Sequence, residues 1–317
     1  MAQATGSFST YDAVGNREDL SDMIFDVSPS ETPILSAIKK KKATATNHEW
    51  QTDALESASA TNAHIEGSDA APGSTAATSR LGNYTQILKK HAVIPGTQEA
   101  IKSAGRKSEM AYQVARRLKA IKLDMESSMF GGAAVGNAKV AGNDTTAREM
   151  GSIFSYLTSN VSLGASGAVS AGTGADVMTA GTDRDFTEAL LTTVLQSCYT
   201  NGGNPKLLAV SPTNKGVVSG FTGGGTRFVD TDEKKLVNSI DVYVGDFHTL
   251  KVVPCRQLVG DNVLALDPEY LAIAELRSVS AKDLAVTGDS VRKEITWEAT
   301  LEVCNEAASG LVADTNG

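Results

Sequence analysis

Residues 106–130, RKSEMAYQVARRLKAIKLDMESSMF, decide how the rest of this 317-residue chain can be arranged. Met110, Val114, Leu118, Ile121, Met125 and Met129 recur at steps of four and three, which places them on one stripe of an α-helix. The opposite flank carries Arg106, Lys107, Arg116, Arg117, Lys119 and Lys122 against Glu109, Asp124 and Glu126. It reads either as a solvated face or as a basic surface for a neighbour's carboxylates. Gly131-Gly132 ends the run. Upstream, Thr97 can act as N-cap with Glu99 in the first turn, so the helix is expected over 97–130, with Gly105 able to kink it. From Arg106 to Phe130 it would be about 37 Å long, which is long for one domain. A long apolar stripe needs a long partner, and the C-terminal region supplies one. From Val291 to Val303 the odd positions read Val, Lys, Ile, Trp, Ala, Leu, Val and the even ones Arg, Glu, Thr, Glu, Thr, Glu. That alternation predicts a strand with one buried and one wet face, laid along the helix.

Before the helix, residues 44–53 (TATNHEWQTD) alternate at strand spacing, and residues 81–94 (LGNYTQILKKHAVI) are rich in β-formers. Between them, residues 55–80 are almost entirely small or polar, an unusually long structureless loop for a compact domain. Together they describe a hairpin projecting from the body, which is marginal alone and is expected to lie on another subunit. Trp50 and Tyr84 are its aromatic residues, read either as interface anchors or as simple hairpin packing. Residues 1–17 read as flexible, and 18–38 as an arm with at most a short helix, because Pro29 and Pro33 interrupt it. Lys39 to Lys42 read as a solvated junction rather than a phosphate patch.

After the helix, residues 131–182 read as irregular loops around one packed element, Arg148 to Asn160. A second unit starts at 183. Asp185 with Glu188 suggests a capping box, and Phe186, Leu190, Val194 and Cys198 make a helical stripe. Lys206 to Val210 reads as a strand, and Ser211-Pro212 opens another helix. Strands follow at Ile240–Val244, Leu250–Pro254, Val263–Leu266 and Tyr270–Leu276. The fold class is therefore α+β.

A net charge of −8 argues against a general nucleic-acid binder. Cys198, Cys255 and Cys304 are odd in number and form no CxxC pair, so neither a disulfide framework nor a zinc site is expected. His48, His64, His91 and His248 show no HExxH spacing, no GxSxG elbow occurs, and Gly223-Gly224-Gly225-Thr226-Arg227 lacks the Lys-Ser/Thr of a phosphate loop. No catalytic residue, cofactor or metal is expected, and no membrane segment or signal peptide is legible, so folding in a reducing cytoplasm is expected. The loop 222–235 mixes Arg227, Lys234 and Lys235 with Asp230, Asp232 and Glu233, which suits head-to-tail contacts around a ring as well as it suits solvent.

Several blocks resemble one family. SPSETPILSAI at 28–38 followed by HEWQTDAL at 48–55 is similar to the start of a group of tailed-bacteriophage major capsid proteins. AREMGSIFSYLTSN (147–160), SPTNKGVVSGF (211–221), VGDFHTLKVVPCRQL (244–258) and AKDLAVTGDSVRKEITWEATLEVCNEAASG (281–310) resemble the same group. The resemblance implies the Hong Kong 97 type capsid fold. Residues 1–43 would be the N-terminal arm, 44–95 the extended loop, 96–182 with 290–317 the peripheral domain containing spine helix 97–130, and 183–289 the axial domain. It implies hexamers and pentamers in an icosahedral head around double-stranded DNA, made in the host bacterial cytoplasm with a portal and separate scaffolding or decoration proteins. A cellular compartment of the encapsulin type is the alternative, and a tail or fibre adhesin is disfavoured by the long helix. Trp50, Tyr84, Lys89, Arg116, Arg117, Arg227 and Asp230 are the expected assembly contacts.

Overall fold

The computed structural model describes residues 28–221 and 241–316, apart from 57, 70–72, 74–76, 102 and 104. The N-terminal residues 1–27 and the loop residues 222–240, with Arg227 and Asp230, lie outside the described residues.

A short helix α1 (Pro33–Ala37) leads into strand β1 (Lys39–Lys42), then β2 (Asn47–Thr52), β3 (Ser79–Tyr84) and β4 (Gln86–Pro95). Helix α2 (Gly96–Ala100) precedes the long α3 (Glu109–Phe130). The single helix expected over 97–130 is thus two. Gly105 has φ +73°, which a helix cannot pass through, and the cap of α3 is Ser108, whose Oγ accepts from the Ala111 N–H. Thr97 lies inside α2, and Glu99 takes a longer-range role: it accepts from the Ser108 hydroxyl at 2.6 Å and from the Met110 N–H at 3.2 Å. At 22 residues, α3 is about 33 Å long. It closes on Gly131, whose φ of +75° gives the left-handed C-cap.

The chain continues through short strands β5 (Val161–Ser162) and β6 (Arg184–Asp185), helix α4 (Glu188–Thr200), strand β7 (Leu207–Val210) and helix α5 (Pro212–Gly220). Thr187 caps α4 by accepting from the Leu190 N–H, so the expected capping box on Asp185 is displaced by two residues, and Asp185 pairs as a strand instead. Ser211 caps α5 as expected, with Pro212 in its first turn. The remainder is β8 (Val242–Val244), β9 (Thr249–Pro254), β10 (Val263–Leu266), β11 (Leu271–Asp283), β12 (Ser290–Val303), β13 (Gly310–Val312) and β14 (Thr315–Asn316).

Two larger sheets organise these elements. One runs β1-β11-β12-β4, the other β5-β13-β10-β7-β9-β8; β2-β3 forms a separate hairpin. The central strands β7 and β10 of the six-stranded sheet are buried on both faces. Leu207, Ala209, Leu264 and Leu266 join the cluster built around α3, while Leu208, Val210, Val263 and Ala265 join Leu191, Val194 and Leu195 of α4. This is why β7 and β10 read as unbroken apolar runs.

In the four-stranded sheet, β12 lies between β11 and β4, and its Ile295, Trp297, Ala299 and Leu301 share the α3 core with Ile121, Met125 and Met129. The tetralysine is strand β1, parallel to β11, a feature hidden by its charge. Its side chains are exposed, as expected, and lysines on a sheet edge discourage further strand pairing. The segment 81–94 divides at Thr85: β3 turns back on β2, with Trp50 opposite Leu81, whereas β4 pairs with β12.

Candidate assembly surfaces

The hairpin is held at its stem by a polar network made of residues remote in sequence. Asn83, fully buried, donates from Nδ2 to the Gly151 and Leu301 carbonyls at 3.1 and 2.9 Å, and its Oδ1 accepts from the Gly151 N–H at 2.8 Å. The Gly82 carbonyl accepts from Lys139 Nζ at 2.6 Å and from the Tyr156 hydroxyl at 3.1 Å. Burial pushes the Tyr156 hydroxyl well above its ordinary value, which keeps it a neutral donor, and draws the Lys139 ammonium down.

The face of β12 expected to be wet is the second part of this anchor. Thr296, Glu298, Thr300 and Glu302 are all buried. Arg148 and Arg277 bracket Glu298 at 2.6 and 2.5 Å, and the Thr85 hydroxyl donates to it. Glu302 receives Lys41 at 2.8 Å, the Cys304 thiol at 3.0 Å and His48 at 3.0 Å. Burial alone would raise the Glu302 carboxyl; the bonds from His48, Cys304 and Lys41, with the Lys41 charge, outweigh it and hold the group at about 2. The expected wet face is therefore an interlayer of paired charges beneath the hairpin and β1.

Beyond Thr52 the surroundings invert. Leu55 is 99% exposed and Ile65 84% exposed, among Asp53, Glu56, Glu66 and Asp69. A cleft of about 690 Å³ lies between Thr52 to Leu55 with Ser79 and Leu81, where the hairpin leaves its stem, and Asn201 and Asn305 to Ala307 of the body. Elsewhere, Val242 and Val244 stand exposed on β8, and Val286 on the β11–β12 turn.

The residues expected to make contacts are placed differently from one another. Trp50 turns inward: it is 8% exposed and packs against Tyr156 at 5.8 Å between ring centroids, so its anchoring is within its own chain. Tyr84 is half-buried at the end of β3. Lys89 is exposed and faces Glu294 at 3.7 Å, with His91 on the same carboxylate at 3.0 Å. Arg116 and Arg117, adjacent in sequence, leave α3 on different sides. Arg116 lies over the Tyr112 ring at 5.8 Å, while Arg117 borders a small cavity with Gln113, Glu109 and the end of β4. The interlayer carboxylates Glu298 and Glu302 and the stem Asn83 escaped sequence reasoning because each partner comes from a distant segment.

Among the described residues no cluster of three His, Cys, Asp or Glu is placed to hold a metal ion, and no helix is long and apolar enough to cross a membrane. A long helix under a long-stranded sheet, a second sheet with its own helices, and a projecting hairpin make an α+β fold of the Hong Kong 97 type. The fold is similar to that of the cyanophage A-1(L) capsid asymmetric unit (TM-score 0.69, 13% identity, 98% of this chain and 99% of that one). It is also similar to a chain from Mycobacterium phage Adephagia (TM-score 0.63, 12% identity, 98% and 99% covered). The chain belongs to the SU10 major capsid protein family, which it matches over residues 4–316. It is 27% identical to the major capsid protein of Escherichia phage Phieco32 over 98% of this chain and 97% of that protein. It is thus a major capsid protein of a tailed phage, a structural component of the virion that forms the capsid shell. The family sets aside the cellular-compartment alternative.

Proposed function

We propose that copies of this chain form hexamers and pentamers that close an icosahedral head around double-stranded DNA. On this reading residues 1–43 are the arm, 44–95 the extended loop, 96–182 with 290–317 the peripheral domain and 183–289 the axial domain around each ring's centre. The chain acts by assembly and carries no catalysis of its own. It assembles in the host bacterial cytoplasm with a portal; any scaffolding or decoration protein is a separate chain. Packaged DNA lies inside without sequence-specific contact, in keeping with a net charge of −8.

The observation that carries this reading is the contrast along the hairpin: a stem fixed by buried bonds presents a tip whose Leu55 and Ile65 touch nothing of their own chain's core. A fixed stem lowers the ordering cost when the tip meets a neighbour. Tyr84, Lys89 and Arg117 are proposed as further contacts between copies. Electron microscopy of the chain expressed with and without its neighbouring genes tests the reading. Closed polyhedral shells in at least one condition are expected; monomers in both would overturn it.

A further inference from the structure

Helix α3 sorts its charges unevenly. Each of its carboxylates is engaged: Glu109 with Arg106, Asp124 with Lys90 at 2.6 Å, and the buried Glu126 with the Leu35 N–H and the Cys255 thiol. Arg116, Lys119 and Lys122 are exposed, and none has a carboxylate within ion-pair distance among the described residues. Spaced by three, they follow one flank of the helix. Arg116 and Lys119 border a groove of about 540 Å³, where Tyr112 and Ser30 bring hydroxyl groups beside them and no carboxylate joins the lining. Arg, Lys, Ser and Tyr side chains are the groups that contact phosphate oxygens.

The subunit also has two sides of different sign. Strand β12 turns Trp297 and Leu301 to the α3 core, while Glu302 on its other face takes Lys41 and His48 beneath the hairpin. The hairpin standing on that face carries Asp53, Glu56, Glu66 and Asp69 beyond its stem. The net charge of −8 is therefore not spread evenly: the hairpin ends in carboxylates, and the free flank of α3 presents cations. A polyanion enclosed by such subunits is repelled by the first surface and attracted by the second.

We propose that this flank of α3 faces the lumen of the shell and binds phosphate groups of the packaged double-stranded DNA through Arg116, Lys119 and Lys122. The inference rests on the reading that the chain encloses DNA, and it names the surface that meets it. Contacts to phosphate carry no base readout, so any packaged sequence is accepted. Each contact is weak and screened by salt, and the shell repeats it in every subunit.

The test compares DNA-filled heads with heads emptied by heating and nuclease. Acetic anhydride labels the lysines, and mass spectrometry reads Lys119 against Lys206, which is exposed on the second sheet and paired with Glu269. The Lys119-to-Lys206 labelling ratio is expected to rise at least about threefold when the DNA is removed. A ratio equally high in both would leave the flank without a partner, and one equally low in both would mean that protein covers it; either overturns the proposal. Heads of R116Q/K119Q are expected to release DNA on heating several degrees below wild type at about 20 mM salt, with the gap closing near ~0.5 M. Equal release temperatures at low salt would also overturn it, and if this variant closes no shells the labelling ratio in wild-type heads decides. Absence of wild-type shells in every condition would overturn the assembly reading itself, a result distinct from closed shells with an unchanged ratio.

Discussion

The stem and the tip of the β2–β3 hairpin are parts of one continuous segment, yet their surroundings are opposite. At the stem, Asn83, Gly82 and His48 are tied to the body through Gly151, Leu301, Lys139, Tyr156 and Glu302. At the tip, Leu55 and Ile65 stand in solvent beside carboxylates. Buried polar bonds are costly to leave unmade, so the stem belongs to the stability of the subunit. Exposed apolar side chains on a loop with few internal contacts add little to that stability and gain by meeting another surface. Substitutions should therefore separate cleanly: stem changes unfold the subunit, and tip changes spare it but stop assembly.

The largest effect is expected at Asn83. Asn83→Ala strands the Gly151 N–H and the Gly151 and Leu301 carbonyls, and should cost about 3–5 kcal/mol in denaturant unfolding of the unassembled chain. A loss below about 1 kcal/mol would remove the distinction between stem and tip.

Acid should loosen the same anchor. Glu302 is held at about 2 in the folded chain against an ordinary 4.5. A depressed carboxyl favours folding above pH 4.5, and that contribution is lost as pH falls from 4.5 towards 2. It should be on the order of 2–3 kcal/mol, and Glu302→Gln should flatten the stability–pH curve across that window. An unaltered curve would mean that His48 and Lys41 do not hold the carboxylate.

A smaller effect of opposite sign is expected at Glu126, which fixes the arm through Leu35 and accepts the Cys255 thiol at 3.3 Å. Burial raises its carboxyl above the ordinary value, so the ionised form opposes folding, and stability rises as pH falls through its folded-state value. Glu126→Gln should therefore leave the chain equally stable or up to about 1 kcal/mol more stable at neutral pH, by thermal unfolding. A marked loss would show that the charge itself holds the arm.

The smallest change in subunit stability belongs to the tip. Leu55→Ser with Ile65→Ser should shift unfolding by less than about 0.5 kcal/mol, while shells fail to close in electron micrographs. A destabilised subunit would mean that the tip packs on its own body.

Much of this contrast could be read in the sequence, and what could not has a common cause. The α3 stripe from Met110 to Met129, the Ser211-Pro212 start of α5 and the long β12 follow from local periodicity and capping, which act over a few residues. The break before Ser108 was signalled by Gly105, with its φ of +73°, but the bonds of Glu99 across the break to Ser108 and Met110 are not local and were not. Glu298 and Glu302 alternate like solvent-facing residues because charge alone does not tell water from a buried counter-ion. Their partners come from Arg148, Arg277, Lys41 and His48, between 21 and 261 residues away. The four consecutive lysines of β1 carry no apolar alternation, and their pairing with β11 joins backbone bonds to an ion pair between Lys40 and Glu275, 235 residues away. Of the candidate contacts, sequence identified Trp50 by size, but its direction depends on Tyr156.

The most direct measurement removes residues 57–78 and combines thermal unfolding with electron microscopy of the product. The expected result is a subunit that unfolds within a few degrees of the intact chain and forms no closed shells, the stem having kept its bonds while the reach to a neighbour is gone. Shells of normal size from the shortened chain would contradict the assignment of the hairpin tip to assembly.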